Sequence, residues 1–147
     1  MALNIRSMTL EDYDATYTLW YNTEGMGLSA ADSREGIRQF LERNPGLSLV
    51  AEDRPGIIAT VLCGHDGRRG FLHHLAVYRE YRGKGIGKNL VETALAKLAA
   101  AGIQKCHIFI HQDNSSGKQF WQKLGWQSRT ELKMMSKDVS LGSGPER

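Results

Sequence analysis

The sequence predicts an α+β domain, with helices packed on a sheet. Three observations predict it. Apolar stripes of helical period run between residues 9 and 44, two strand-like runs flank the turn Asp53-Arg54-Pro55-Gly56, and a further strand-like run enters the strongest helical stripe through the glycine-rich turn Arg82-Gly83-Lys84-Gly85-Ile86-Gly87. At 147 residues the chain is the size of one ordinary domain. We expect a single domain over residues 1–139 and a disordered tail over 140–147, where Gly, Ser and Pro leave little to bury.

Leu3 to Arg6 alternates apolar and polar residues and opens the sheet. Thr9 has the position of an N-cap, followed by Glu11 and Asp12, which complement the helix dipole. Tyr13, Tyr17, Leu19 and Trp20 then form a helical stripe to about Asn22. Gly25 and Gly27 break the pattern. Ser33 caps a second helix that carries Ile37, Phe40 and Leu41 to a stop at Asn44-Pro45-Gly46.

Leu47 to Glu52 and Ile57 to Cys63 read as an antiparallel hairpin. A turn from Gly64 to Gly70 leads to the strand Phe71 to Val77. Leu90, Val91, Ala94, Leu95 and Leu98 recur at steps of three and four, with Gly102 as a C-terminal stop. Gln104 to His111 alternates as a strand, Ser115 to Leu124 reads as a helix ended by Gly125, and Trp126 to Ser136 as the last strand or two.

Composition narrows the function classes. With 41% hydrophobic and 24% charged residues the chain has the balance of a soluble globular protein. It contains no apolar run near the roughly 20 residues that span a bilayer, and Met1 to Arg6 lacks the features of a secretory signal. The expectation is a cytoplasmic protein without a membrane partner. A net charge of +3 spread along the chain suits an anionic ligand better than nucleic acid, which calls for a dense basic stripe. Cys63 and Cys106 lie in aliphatic runs without metal-ligand spacing, so they read as reduced core thiols rather than a disulfide or metal pair, and no metal is expected.

A glycine-rich turn between strand and helix exposes backbone N–H groups to an anion at the positive end of the helix dipole. Gly83, Gly85 and Gly87 punctuate such a turn, and Arg82, Lys84 and Lys88 add charge. Taken alone, the glycines also fit a tight turn with no ligand. The dinucleotide fingerprint needs a different glycine spacing and an acidic residue after the second strand. The P-loop needs five steps between its glycines and a hydroxyl residue after Lys; here Gly83 and Gly87 are four apart and Asn89 follows Lys88.

Val77 to Gly87 resembles motif A of the GNAT acetyltransferase family, Gln/Arg-x-x-Gly-x-Gly/Ala, with Arg82, Gly85 and Gly87 at the defining positions. Asn114 to Trp126 resembles motif B, through Asn114, Phe120, Gly125 and Trp126. The resemblance implies an α/β/α sandwich with a mixed, mostly antiparallel sheet of six to seven strands, splayed between its fourth and fifth strands, and about four helices. It implies acetyl-CoA as co-substrate. The diphosphate would lie on Arg82, Gly83, Lys84, Gly85, Ile86, Gly87 and Lys88, and the pantetheine arm would pair with the backbone of Leu75, Ala76 and Val77 like an added strand. Asn114 would hold that arm or its water, although Asn also suits a helix cap.

The implied reaction is direct attack of a primary amine, on a small molecule or on a protein or peptide, in a ternary complex. The family often places a glutamate base where this chain has His73; His74 is its neighbour, and His111 a further candidate. On a regular strand the first two point to opposite faces, unless a bulge intervenes. Trp121 stands at the usual position of the tyrosine that protonates the leaving thiolate, and indole is a donor but not an acid. Tyr81, Tyr78 or water are other sources. Loss of that tyrosine also admits an acyl-CoA-binding sensor or interaction module without turnover. Acceptor selection would fall to Tyr21–Ala31, including Glu24, Met26 and Leu28, and to Gln127–Met135. A homodimer through the late segment is a further expectation.

Overall fold

The computed structural model describes residues 3–139. The tail expected over 140–147 lies outside the described residues. Contacts divide the chain into two compact units, Met1–Phe109 and Ile110–Arg147.

The first unit holds a five-stranded sheet in which spatial order follows chain order. β1 (Asn4–Ser7), β2 (Leu49–Asp53), β3 (Gly56–His65) and β4 (Gly70–Val77) pair antiparallel. The β2–β3 and β3–β4 connections are short, as antiparallel neighbours allow; in the turn after β3 the Asp66 carboxylate accepts the Arg68 and Arg69 amides at 2.8 and 2.9 Å. β4 and β5 (Cys106–His107) are parallel, joined by a crossover through α3 (Ile86–Ala100).

α1 (Tyr13–Tyr21) and α2 (Arg34–Arg43) connect β1 to β2. Thr9 does not open α1 directly: a 3₁₀ turn, Leu10–Asp12, intervenes, and the Asp12 carboxylate accepts the Thr9 amide at 2.8 Å. Arg6 grips Asp12 with two nitrogens and Glu52 with one, each at 2.8 Å, and so ties β1, this turn and β2 together. Ser33 caps α2 as expected, its hydroxyl accepting the Gly36 amide at 3.0 Å.

One face of the sheet buries Leu19 and Trp20 of α1 and Ile37 of α2 against Val50, Leu62 and Ala76, with Phe40 packed alongside. Such side chains stabilise by roughly 1.5–3 kcal/mol each on burial. Leu90, Val91, Ala94 and Leu98 of α3 are buried as their spacing predicts. Leu98 occupies the space a side chain at Gly70 would need, and Gly70 alternates with Phe71, so α3 covers the opposite face. The result is the expected α/β/α layering. In the second unit α4 (Ser115–Lys123) is the regular element.

Two expectations are corrected. The sheet has five strands among the described residues, not six or seven, because Trp126 to Ser136 forms no strand there. Thr130 is the only β-branched residue of that stretch, and Leu132 and Met135 are 62% and 90% exposed; strand preference is chiefly packing on a neighbour. Secondly, the strand expected over Gln104–His111 shrinks to Cys106–His107, because only those residues pair before β5 leaves β4. Among the described residues no helix is long and apolar enough to cross a membrane.

Candidate functional site

After Val77 the chain makes a 3₁₀ turn, Arg79–Tyr81, and enters α3 through two left-handed glycines, Gly83 at φ +78° and Gly85 at φ +82°. Gly85 is the N-cap and has no side chain to satisfy the first amides. The first helical bond runs from the Asn89 amide to the Gly85 carbonyl at 3.0 Å, so the amides of Ile86, Gly87 and Lys88 precede the helical ladder. A Cβ at Gly83 or Gly85 would meet nothing within 4 Å. The first turn contains no acid, Lys88 lies in it, and Arg82, Lys84 and Gly85 are exposed. Arg82 Nε donates to the Val77 carbonyl at 2.8 Å and fastens the turn to the strand end. An open, positively biased row of amides of this kind fits a diphosphate.

β4 offers a second feature. It pairs with β5 only at Gly70↔Cys106 and Phe71↔His107, and from Leu72 onward that edge has no strand partner among the described residues. The Tyr78 amide donates to the Ile58 carbonyl on β3 at 3.0 Å. Strand alternation therefore turns the Leu75 and Val77 amides to the open edge, while Ala76 faces β3, where it pairs with Thr60.

The register of β3 against β4 slips between Thr60↔Ala76 and Leu62↔His73, leaving His74 and Leu75 opposite Val61. This is a β-bulge, and His74 takes the left-handed φ of +52° within it. The bulge puts both histidine rings on the α1/α2 face. His73 is 6.3 Å from Phe40, and His74 is 4.8 Å from Trp20. His73 lies between aromatic rings, with Phe71 at 6.3 Å and Phe109 at 6.2 Å. Burial, aided by repulsion from His74 and opposed by Asp32, holds its pKa below the ordinary histidine range.

His74 Nε2 lies 2.7 Å from Oδ1 of Asp32, the last residue of the 3₁₀ turn Ala30–Asp32 before α2. Burial pushes the Asp32 carboxyl upward, but its bonds to His74 and the Ser29 amide prevail and hold it below the usual carboxylate range. The His74 carbonyl accepts from Thr60 Oγ1 at 3.2 Å, and that oxygen accepts from Trp20 Nε1 at 3.0 Å. Sequence reading missed Asp32 and Thr60. The Ser29-x-x-Asp32 spacing marks a cap, yet nothing local points from it to a strand 42 residues later.

Tyr81 donates its hydroxyl to Asp53 at 3.0 Å, which raises its pKa. Glu24 pairs with Arg79 at 3.1 Å on the exposed surface, and Met26 and Leu28 pack against the α1/α2 cluster. A cleft of about 330 Å³ opens between Leu19, Asn22, Thr23, Tyr78, Arg79, Glu80 and Arg82. In the second unit Asn114 caps α4, its Oδ1 accepting the Gly117 amide at 2.9 Å, and Trp121 packs edge-on between Phe120 and Trp126. Both cysteines are free; burial pushes Cys63 up to about 12 and Cys106 up to about 11, so neither is a thiolate near neutral pH.

Residues 8–126 match the family described as Acetyltransferase (GNAT) family. An acetyltransferase of Pectobacterium atrosepticum is 32% identical over 86% of this chain and 89% of its own length. One from Photorhabdus laumondii is 31% identical over 86% and 88%. Among solved structures, the PaiA N-acetyltransferase of Thermoplasma acidophilum in complex with coenzyme A superposes with a TM-score of 0.76 at 22% identity, covering 88% of this chain and 92% of that one. An acetyltransferase of Clostridium acetobutylicum solved with acetyl-CoA gives 0.74 at 18% identity over 92% and 96%. On the match of residues 8–126, joined to a strand, glycine turn and helix whose start carries no side-chain cap, the chain belongs to the GNAT acetyltransferase family.

Proposed function

We propose that this protein transfers an acetyl group from acetyl-CoA to a primary amine, of a small molecule or of a protein or peptide, by direct attack in a ternary complex. The observation that carries the reading is the uncapped start of α3 in the glycine turn Gly83 to Lys88, where the first amides precede the helical ladder, together with an edge of β4 that has no strand partner among the described residues. Bound there, acetyl-CoA supplies a thioester carbonyl open to attack by an amine.

The chain's own residues bind and orient. Amides of the turn, with Arg82, Lys84 and Lys88, hold the diphosphate. The Leu75 and Val77 amides extend the sheet to the pantetheine arm, and one of them donates to the carbonyl where negative charge develops. Position in the motif nominates His73, with His74 beside it, as candidate proton acceptors, and burial holds the His73 pKa below the ordinary histidine range. The motif likewise nominates Asn114 for the cofactor and Trp121 for the usual proton-donor position. The Tyr81 proton is engaged with Asp53, so solvent is the simpler source for the thiolate.

Trp121 keeps a second reading open, in which the chain binds an acyl-CoA and does not turn it over. A screen of small amines and peptide N-termini that reads released coenzyme A decides between them. Acetyl transfer with at least one amine class supports the enzyme. Calorimetric binding of acetyl-CoA without thiol release on any acceptor supports the sensor.

A further inference from the structure

Asp32 is a carboxylate with little water around it, 7% exposed. Its Oδ2 accepts the Ser29 amide at 3.0 Å, and its Oδ1 meets His74 Nε2 at 2.7 Å. An ionised carboxylate only accepts, so the shared proton sits on Nε2 and the imidazole lone pair is on Nδ1. Among the described residues Nδ1 has no hydrogen-bond partner, and no sealed side-chain nitrogen or oxygen lacks one, so Nδ1 is not sealed from solvent, and the His74 side chain is 17% exposed.

The backbone holds this ring in place from the other side. A left-handed histidine is an uncommon conformation that persists where its surroundings impose it. Here Trp20 packs at 4.8 Å, and the Trp20–Thr60–His74 carbonyl relay fixes the bulge. The next residue is Leu75, whose amide faces the open edge of β4. His73 lacks these features: its ring is wedged among Phe71, Phe40 and Phe109, and no hydrogen bond of the described residues reaches it.

Resting on the acetyltransferase reading, we infer that His74 is the base that takes the proton from the acceptor amine, with Asp32 as the positioning residue that fixes its tautomer. The amine nitrogen bonds to the acetyl carbon as the carbon–sulfur bond breaks. One nitrogen proton passes to Nδ1, and one proton reaches the sulfur through solvent. An amine and a thioester thus give an amide and a thiol. A base held in one tautomer by a buried carboxylate has the lone pair aimed before the substrate arrives. The titratable or charged groups around the ring are Asp32, His73, Tyr13, whose hydroxyl donates to the Asp32 carbonyl at 2.7 Å, and Arg34 over the Tyr13 ring.

The test joins imidazole nitrogen NMR to kinetics on the full chain. Wild type should show His74 with its proton on Nε2. Asp32→Asn, nearly isosteric, should lose that tautomer and reduce kcat/KM about 100-fold or more while acetyl-CoA affinity is unchanged. His74→Asn, chosen because Asn tolerates the left-handed backbone, should do the same and abolish the acid limb of the pH–rate profile; His73→Asn should keep that limb. A proton on Nδ1 in the wild type overturns the proposal, as do unchanged rates and an unchanged limb in both Asp32→Asn and His74→Asn. A wild type that binds acetyl-CoA and acetylates no amine overturns the function and the base role together, and is told apart by the silence of the unmutated protein.

Discussion

Gly85 holds a φ of +82° at the start of α3, and a Cβ there would point into open space. Substitution by alanine therefore meets backbone strain without a clash inside the protein, a cost of about 1–2 kcal/mol. The same methyl would stand where the diphosphate is proposed to lie. Gly85→Ala should lower Tm by a few degrees and weaken acetyl-CoA at least tenfold by calorimetry; equal affinity would place the diphosphate elsewhere. Trp20 offers a purely structural contrast. Its indole donates to buried Thr60, and Trp20→Phe leaves that relay one donor short, so urea denaturation should report a loss of about 1–3 kcal/mol. The glycines were readable because a turn is written locally. The left-handed φ of His74 was not, since no glycine or asparagine marks it and the register of β3 against β4 imposes it.

Among the elements, α1, α2, α3 and the β2–β3 hairpin follow their apolar period and turn residues closely, because each finds a face to cover. The late segment did not: Leu132 and Met134 alternate as a strand would, yet both are exposed and neither has a β neighbour among the described residues. Pattern reports what a segment offers, and only the partner edge decides whether it pairs. The joint of β1, β2 and the 3₁₀ turn is held by Arg6. Its guanidinium keeps the Asp12 and Glu52 carboxyls below their ordinary range. A depressed folded pKa contributes stability above the unfolded value, and loses it as pH falls through the folded one. Arg6→Met should thus lower the urea midpoint at pH 7, and the gap from wild type should narrow as the pH drops below the usual carboxylate range. A gap constant with pH would assign the effect to packing of the Arg6 stem.

At the scale of the whole molecule, the order of strands and helices and the two motifs were enough to name the family, and the residue match over 8–126 agrees. What sequence order withheld is the meeting of residues far apart in the chain: Asp32 with His74, Trp20 with Thr60. A net charge of +3 adds a long-range attraction for a polyanionic ligand, so acetyl-CoA affinity should fall as salt rises, by less for Lys88→Ala than for wild type.

Cofactor binding as proposed uses main-chain amides at two places, the Gly83–Lys88 turn and the free edge of β4. An amide NMR titration with acetyl-CoA reads both at once. The Gly83, Gly85 and Gly87 resonances should shift, and the Leu75 and Val77 amides, exchanging quickly in the free protein, should become protected, while Tyr78, bonded to Ile58, stays protected throughout. Binding that leaves those five amides unchanged would place the cofactor elsewhere.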